Sequence, residues 1–513
     1  MRRGPGKMLL DDLPRGVRSR KLDDHRTPLA AWMPPDLIAS SNSLSYDPDN
    51  PGAKLLLGAQ NGKLVGIGDN RHMMTVAGSR AGKGVSAIVP NLIFYRGSVL
   101  AIDPKAELAS ITALRRAQQL GQRVYVLDPF ERCAPHAAPY RASYNPLSIL
   151  KPDSPTLVED AGLIADALVI PGGRDPHWND SARNFLEGLV LHVATYSGYE
   201  DRRDLVSVRT VLMNGAHISQ ETDDGHEEAS GMDGLFVEML HNVELLNEAG
   251  AEDIARAVEA AANDFFEKPD NERGSVLSTA RRHTKFLDFP NIQSVLRGHD
   301  FDLTDLKTTS GGMTVYLCLP AARLATCSRW FRLFVNLALE AMEREQIVPS
   351  VPVLFCLDEF AALGHMRQIE AAAGQVAGFG VKLWPILQDL TQLKRDYKEG
   401  WETFMGNAGV LQFFGNNDTT TLEHISKRLG KTSIRMRSQS ATTQEDRARG
   451  ASGESWKVEL HDLLTAEEAA RFFSRDDPQR RQLVLWAGQP PIILQRLIYH
   501  SDAPFKGKYD IMG

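Results

Sequence analysis

A short glycine-rich loop carries the clearest chemical signal in the sequence. It follows an apolar run at 73–77, precedes a helix-compatible run at 85–89, and reads Gly78-Ser79-Arg80-Ala81-Gly82-Lys83-Gly84-Val85. Small residues let successive backbone N–H groups point at phosphate oxygens, a lysine suits the β- and γ-phosphates, and a helix N-terminus favours an anion. We therefore predict that this loop binds the phosphates of a nucleotide.

The loop departs from the G-x-x-x-x-G-K-[ST] pattern at two positions. Ala77 stands where the first glycine is usual, and Gly84 replaces the hydroxyl residue that normally contacts magnesium. Taken alone, the loop leaves open a glycine-rich turn that contains a lysine by chance. Residues elsewhere in the chain have to decide between the two interpretations.

Acidic residues and a glutamine stand at the ends of other apolar runs. Asp103, the pair Asp358 and Glu359, and Gln388 each come directly after a predicted strand. Ligands bind at the carboxyl ends of the strands in open α/β sheets, so we expect these side chains near the phosphate loop. We predict that Asp358 binds magnesium, that Glu359 polarises the attacking water and that Gln388 contacts the γ-phosphate. The alternatives are a solvated acidic pair at a helix start and a turn glutamine.

Composition sets broad limits on the class of protein. The chain has 513 residues, 42% of them hydrophobic, and a net charge of −7, which neither requires nor excludes nucleic acid as a partner. Its four cysteines form no C-x-x-C pair, which indicates a reducing compartment without a disulfide framework or a zinc site. No stretch approaches the roughly 18 apolar residues of a membrane span, so we expect a soluble chain.

The pattern of apolar runs predicts an α/β fold that is interrupted by helices. Strand-like runs occur before residue 130 and again after residue 313, whereas 153–298 shows helical periodicity. Lys83 and Asp358 stand 275 positions apart, far more than strand-helix units of roughly 30 residues need. We predict an N-terminal arm or linker at 1–50, the first part of a nucleotide-binding domain at 51–152, an inserted all-α domain at 153–298, and the second part with a C-terminal segment at 299–513.

Local signals give three further expectations. Apolar stripes predict packed helical faces at Leu157, Ala161, Ile164, Ala165 and Leu168, at Leu186, Leu189, Val190 and Val193, and at Ile254, Val258, Ala261 and Phe265. For the second of these helices, Asn179 and Asp180 offer an N-cap and Gly198 offers a C-terminal stop. The polar stretch 435–455 is expected to form a mobile loop.

Several motifs, in this order and spacing, resemble the type IV secretion coupling proteins, the TraG/TraD-like conjugative ATPases. The resemblance covers most of the chain. Its motifs are Gly82-Lys83-Gly84-Val85, Pro90-Asn91-Leu92, Val99-Leu100-Ala101-Ile102-Asp103-Pro104-Lys105-Ala106-Glu107, Tyr144-Asn145-Pro146-Leu147, His177-Trp178-Asn179-Asp180-Ser181-Ala182-Arg183, Leu357-Asp358-Glu359-Phe360, Leu387-Gln388-Asp389-Leu390-Thr391-Gln392-Leu393, Ser426-Lys427-Arg428-Leu429-Gly430 and Leu463-Leu464-Thr465-Ala466-Glu467-Glu468.

The resemblance implies a RecA-like P-loop NTPase core with a mostly parallel sheet and an inserted all-α domain. It further implies a homo-hexamer that uses ATP and Mg²⁺ and carries single-stranded DNA with bound relaxase, or protein effectors, to a type IV secretion channel at the cytoplasmic face of the inner membrane. The family's own glycine at position 84 accounts for the missing hydroxyl. Family members usually begin with two membrane helices, which this sequence does not show, so we expect a truncated or naturally soluble member. Arg428 and Arg329 are the candidates for an arginine finger.

Two other functions stay open at this point. A recruitment platform would dock substrates on the helical domain and use nucleotide mainly to assemble. A DNA-pumping ATPase similar to FtsK would share the core, but the helical insertion and the motif at 144–147 argue against it. The candidate DNA contacts are two basic clusters, although charge runs of this kind are usually solvated faces: Arg281, Arg282, His283 and Lys285, and Arg435 and Arg437.

Overall fold

The computed structural model describes residues 30–170, 176–222, 225–439 and 454–511. The strands are β1 Leu55–Gln60, β2 Lys63–Ile67, β3 His72–Ala77, β4 Val99–Asp103, β5 Arg123–Leu127, β6 Ala216–Thr222, β7 Gly225–Ser230, β8 Met313–Cys318, β9 Val353–Leu357, β10 Val381–Leu387, β11 Ala408–Phe414, β12 Lys431–Gln439, β13 Glu454–Asp462, β14 Arg481–Trp486 and β15 Ile492–Gln495.

The α-helices are α1 Pro35–Ser40, α2 Val89–Phe94, α3 Glu107–Gln118, α4 Leu157–Leu168, α5 Pro176–Thr195, α6 Leu205–Asn214, α7 Gly231–Glu248, α8 Glu252–Phe266, α9 Asp270–His283, α10 Pro290–Arg297, α11 Asp305–Thr308, α12 Leu324–Arg344, α13 Arg367–Gln375, α14 Leu390–Tyr397, α15 Trp401–Asn407, α16 Thr419–Leu429 and α17 Ala466–Phe472. Among the described residues, no helix is long and apolar enough to cross a membrane.

The described residues divide into two compact units. The first unit comprises residues 30–96 and 382–509, and the second comprises 97–381 and 510–511. Each unit contains part of the predicted site.

In the first unit, strands lie side by side in the order β2-β1-β15-β14-β11-β3-β10. The strand before the phosphate loop, β3, is parallel to both β10 and β11, whereas the other pairs are antiparallel. Every residue of β3, β10 and β11 is buried, as expected for central strands of a sheet covered on both faces. The strands predicted around 73–77, 383–387 and 410–414 are confirmed.

In the second unit, β9, β4, β8 and β5 form parallel neighbours in that order. Their continuous apolar sequences match burial on both faces, and β4, β8 and β9 are buried along their whole length. Asp103 is the last residue of β4, and Asp358 follows β9 directly. The predicted strands at 99–102, 124–127, 314–319 and 353–357 are therefore confirmed, with shifts of one residue at some ends.

The helical segment, which we define as residues 153–298, also lies in the second unit. Its predicted stripes on α4 and α5 are buried, and on α8 the stripe is displaced because Ala255 and Ala262 are buried with Val258 and Phe265. Besides helices, the segment contains an antiparallel hairpin of β6 and β7, which the helical interpretation did not include.

Two predictions about α5 are wrong. Asn179 and Asp180 lie inside the helix Pro176–Thr195 and do not cap it. At the other end the helix stops at Thr195, and Gly198 belongs to the 3₁₀ turn Ser197–Arg202 that follows.

The polar stretch 435–455 is also not a loop throughout. Its first and last residues belong to β12 and β13, which pair along their length, while 440–453 lie outside the described residues. A loop interpretation based on polarity overlooked that two flanking segments can satisfy each other's backbone groups.

The described part of the predicted N-terminal arm is packed. Residues 1–29 lie outside the described residues, but α1 and its flanks bury Trp32, Met33, Ile38, Leu44 and Tyr46. The backbone of Met33 donates to Pro491 O at 2.9 Å, so this stretch is anchored within the first unit.

Candidate active site

Close backbone contacts shape the phosphate loop in the first unit. Gly78 donates its N–H to Phe414 O at 3.1 Å, and a Cβ at Gly78 would lie 1.8 Å from Gly415 O. Gly82 has φ of +87°, a conformation that side chains rarely adopt. Glycine is therefore required at 78 by contact with the neighbouring strand end and at 82 by backbone conformation.

The loop leads directly into helical structure. Lys83 has helical dihedral angles and precedes the π-helical turn Gly84–Ile88, which continues into α2. A Cβ at Gly84 would meet no atom within 4 Å, so the loop has room for the hydroxyl residue that this sequence lacks. The N–H groups of such a helix start favour an anion, as the phosphate-binding interpretation requires.

A buried arginine, Arg496, fastens the loop to the segment after α17. Its Nη1 donates to Ala81 O at 2.9 Å, and its Nη2 donates to Arg475 O at 3.0 Å and to Ser474 O at 3.3 Å. The guanidinium also lies over the ring of Phe414 at 5.2 Å from its centroid, which is within the roughly 6 Å of a cation–π contact. Burial lowers the pKa of Arg496, but an arginine remains charged in proteins.

We did not predict a role for Arg496 from the sequence, although its position in the sequence hints at one. It follows β15 inside the apolar run 492–498, and a charged residue in such a run has to find buried partners. Four backbone carbonyls, those of Ala81, Ser474, Arg475 and Arg480, serve as those partners here.

Gln388 and the phosphate loop line one cleft in the first unit. The cleft measures about 400 Å³, and its lining includes Gly78, Ser79, Gln388, Asp389 and Arg475. This volume lies within the usual range of small-molecule sites. The structure thus brings together two loop residues and the glutamine that the sequence predicted to act with them.

Hydrogen bonds hold the backbone of Gln388 from both sides. Its N–H donates to Gln392 Oε1 at 3.1 Å, and its C=O accepts from Asn416 Nδ2 at 3.3 Å. The next residue, Asp389, is the N-cap of α14 and accepts from the N–H of Gln392. Gln388 therefore occupies a fixed position between the end of β10 and the start of α14.

The second unit holds the acidic pair. Asp358 and Glu359 are both half-buried, and Asp358 Oδ1 accepts the N–H of Glu359 at 2.9 Å. Glu359 has φ of +51°, a left-handed conformation that is uncommon for a residue with a side chain. The 3₁₀ helix Phe360–Leu363 begins immediately afterwards. Strained backbone of this kind concentrates at functional sites.

Asp103, also in the second unit, is a structural carboxyl. It is 1% exposed, and its Oδ2 accepts the N–H of Ala109 at 2.9 Å in the first turn of α3. The pKa of Asp103 is raised to about 7 as the net result of three effects: burial raises it most, backbone hydrogen bonds lower it, and the nearby charge of Asp358 raises it. Asp103 thus joins β4 to α3, and its burial does not suit direct contact with a ligand.

The sequence-predicted residues therefore fall into two groups. Gly78, Ser79, Arg80, Ala81, Gly82, Lys83, Gly84, Val85 and Gln388 lie in the first unit, whereas Asp103, Asp358 and Glu359 lie in the second. In the described ranges no three His, Cys, Asp or Glu side chains form a metal-binding cluster. Asp358 nevertheless offers an oxygen ligand at a strand end, and Mg²⁺ commonly takes one or two carboxylates together with water and substrate phosphates.

The two arginine-finger candidates differ in their surroundings. Arg329 Nη2 lies 3.0 Å from His283 Nδ1 and is half-buried, so it has a partner within its own unit. Arg428 is exposed in the last turn of α16. A finger has to reach another subunit, so Arg428 fits that role better.

The first basic cluster has largely structural roles. Arg281 donates to Leu212 O at 3.1 Å and to Met213 O at 3.0 Å, and thereby caps the end of α6. His283 is buried, whereas Arg282 and Lys285 are exposed. Arg435 and Arg437 lie on β12.

A family model decides the classification. The model for conjugative DNA transfer by the type IV secretory system matches residues 44–510. The chain belongs to this family. The phosphate loop, the acidic pair and Gln388 all fall inside the matched region.

Relatives in the conjugative DNA transfer family show the same relationship. The chain is 26% identical over 460 residues to the conjugal transfer protein TraG of Escherichia coli, covering 85% of this chain and 68% of TraG. It is 25% identical over 439 residues to the coupling protein VirD4 of Bartonella quintana, covering 83% of this chain and 62% of VirD4.

Solved structures confirm the RecA-like fold with a mostly parallel sheet and inserted helices. The conjugative coupling protein TrwBdeltaN70 has a TM-score of 0.63 and 14% identity, covering 95% of this chain and 97% of that chain. TrwB in complex with ADP and Mg²⁺ has a TM-score of 0.57 and 15% identity, covering 84% of this chain and 86% of that chain.

Proposed function

We propose that this chain is an ATP-hydrolysing coupling protein that acts as a homo-hexamer at the cytoplasmic face of the inner membrane. It recruits single-stranded DNA with bound relaxase, and protein effectors as further cargo, and moves them to the type IV secretion channel. The geometry of the phosphate loop is the main support, because Gly78 and Gly82 satisfy constraints that only glycine meets and Lys83 opens a helix. The nucleotide complexes of TrwB support the same interpretation.

In this proposal the loop residues bind the phosphates. The backbone N–H groups of 78–85 donate to phosphate oxygens, and the Lys83 ammonium neutralises charge at the β- and γ-phosphates. Arg496 keeps the loop in its binding conformation through Ala81 O. Gln388, held at the edge of the same cleft, contacts the γ-phosphate and signals its loss to the rest of its unit.

The acidic pair of the second unit supplies the remaining roles. Asp358 holds Mg²⁺ through water, and Glu359 accepts a proton from the attacking water as general base. Bound magnesium would neutralise charge that develops on the phosphates. The hydrogen bond from the N–H of Glu359 to Asp358 Oδ1 fixes these two carboxylates relative to each other.

Paired variants test this assignment. Lys83→Ala should abolish binding of Mg·ATP, whereas Glu359→Gln should bind it and scarcely turn it over. Glu343→Gln serves as the matched control, because Glu343 is exposed at the end of α12 and has no proposed role. Normal turnover by Glu359→Gln would remove that residue from the mechanism.

A second candidate function rests on Gly84. The loop has space for a hydroxyl residue but carries none, which is compatible with a platform that binds nucleotide to assemble and hydrolyses it little. A hydrolysis rate that responds to neither DNA nor protein concentration would favour this platform.

We also propose the division of the chain into domains that the sequence predicts. It assigns 51–152 and 299–513 to the nucleotide-binding domain and 153–298 to a cargo-facing helical domain. Limited proteolysis tests it, because cleavage at these boundaries should release the helical segment as a resistant fragment.

A further inference from the structure

A second buried arginine, Arg332 on α12, joins parts of the second unit that have different roles. It is 2% exposed, and its Nη1 donates to Leu363 O at 2.8 Å and to His365 O at 2.7 Å. Its Nε donates to Ala167 O at 3.3 Å. One guanidinium thus binds carbonyl groups of two separate chain segments.

The first of these segments follows the proposed general base. We call residues 358–366 the Glu359 loop. It runs from Asp358 through the 3₁₀ helix Phe360–Leu363 to Gly364, which has φ of +64°. Phe360, Leu363 and Met366 are buried, so the loop is packed at several points. A change at Glu359 would therefore reach Leu363 and His365 through a short, well-packed chain.

The second segment is the end of α4, the first helix of the helical segment. Ala167 lies in the last turn of α4, where helix carbonyls have no partner within the helix. A cation at that position satisfies one of them and interacts favourably with the helix dipole. The bond from Arg332 to Ala167 therefore ties the position of α4 to the same guanidinium that holds the Glu359 loop.

We propose that Arg332 is a positioning residue that couples the Glu359 loop to the helical segment. The inference rests on the proposed function, since it assumes that nucleotide acts at Glu359 and cargo at the helical segment. When nucleotide changes the Glu359 loop, the two loop carbonyls shift the guanidinium, and the bond to Ala167 passes that shift to α4. The planar fork of arginine suits this role because it can bind several acceptors in a fixed geometry.

Arg344 provides a matched control on the same helix. Its Nη2 donates to Asp160 Oδ1 at 2.5 Å, and Asp160 is a buried residue of α4. Arg344 thus joins α12 to α4 as Arg332 does, and its side chain donates to Asp160 and Glu340, neither of which belongs to the Glu359 loop. Loss of Arg344 weakens packing of α4 without breaking the proposed connection.

The experiment is amide hydrogen exchange of the full chain with and without Mg·ADPNP. We compare wild type, Arg332→Lys, Arg332→Gln and Arg344→Gln over peptides from the phosphate loop, the Glu359 loop and the end of α4. In wild type, the nucleotide should slow exchange in all three, at α4 by roughly tenfold, the factor for one charge-assisted hydrogen bond. Arg332→Gln should keep protection in the two loops and lose it at α4, whereas Arg344→Gln should keep the nucleotide-dependent protection in all three.

The outcomes separate this inference from the proposed function. If the nucleotide does not protect the phosphate loop in wild type, nucleotide binding is contradicted, and so is the coupling that depends on it. If the nucleotide protects the phosphate loop of wild type but leaves exchange at α4 unchanged, the coupling is overturned and the proposed function is not. This outcome is read from wild type without any variant. A response at α4 that survives in Arg332→Gln overturns it too. Arg332→Lys keeps the charge and covers the case in which the glutamine variant does not fold; it should show a reduced response at α4.

Discussion

Arg496 Nη1 donates to the carbonyl oxygen of Ala81 at 2.9 Å, in the middle of the phosphate loop. The same guanidinium also donates to the carbonyl oxygens of Ser474, Arg475 and Arg480, which follow α17, so one buried side chain holds the loop in place. The loop conformation therefore depends on a residue more than 400 positions away in sequence, as well as on its own glycines.

Replacement of Arg496 should weaken nucleotide binding. Arg496→Met removes the bond to Ala81 and leaves buried carbonyls unsatisfied, and a hydrogen bond to a charged group contributes about 1.5–3 kcal/mol. We expect the Kd for Mg·ADPNP to rise by roughly tenfold to a hundredfold. Arg481→Met is the control, because Arg481 is also largely buried but pairs with Asp477. Equal loss of affinity in both variants would mean that Arg496 acts only through stability.

The two loop glycines at 78 and 84 should respond in opposite ways to alanine. Gly78→Ala places a methyl group against Gly415 O and should destabilise the first unit by about 1–3 kcal/mol, with loss of nucleotide binding. Gly84→Ala meets open space in a helical turn and should be neutral or stabilising by about 0.5–1 kcal/mol. Denaturant unfolding and ADPNP titration check both, and a tolerated Gly78→Ala would contradict the described loop.

Titration of His283 should make the free energy of unfolding depend on pH. Burial, followed by the charge of Arg329, lowers the pKa of His283 to about 4, with Arg282 and Arg332 adding to the effect. The unfolded chain binds a proton near pH 6.5 and the folded chain does not, so stability contributed by the neutral ring is present above pH 6.5 and is lost as the pH falls towards 4.

The variant His283→Gln removes that titration. Between pH 7 and pH 4.5 it should lose less stability than wild type, by roughly 1–3 kcal/mol. His241→Gln, at a more exposed histidine on α7, should keep the wild-type pH dependence. Urea unfolding at the two pH values gives the comparison, and identical losses in wild type and His283→Gln would refute the prediction.

The second basic cluster is the better remaining candidate for DNA contact, because Arg281 and His283 already have internal partners. If Arg435 and Arg437 each neutralise one phosphate, substitution of both by glutamine should reduce the slope of log K against log salt by about 1.4 for single-stranded DNA. Arg281→Gln should leave the slope unchanged. An unchanged slope in the double variant would place both arginines away from the DNA.

The sequence predicts the central strands well, and the reason is physical. The strands β3, β4, β9 and β10 are buried on both faces, so they stand out as mainly apolar runs that end near the candidate site residues. Gly78, Lys83, Asp358 and Gln388 follow such runs, which is why they could be located without a structure.

Features set by distant contacts could not be predicted in the same way. Arg496 and Arg332 are buried because of carbonyls supplied by remote segments, and the only hint in the sequence is a charge within an apolar run. Asn179 and Asp180 resemble a helix cap in the sequence but lie inside α5. The strand β12 was missed because its residues are polar. Its backbone pairs with β13, and sequence periodicity does not reveal that pairing.

In the proposed function, DNA and subunit assembly control hydrolysis by this chain. The most direct test of this control is the steady-state ATPase rate with Mg²⁺, measured with and without single-stranded DNA over a range of protein concentrations and salt, with Lys83→Ala as the blank. We predict a rate per chain that rises steeply with protein concentration and with DNA, because subunits complete each other's active sites. A rate above the Lys83→Ala blank that is indifferent to both would contradict the motor and favour the recruitment platform.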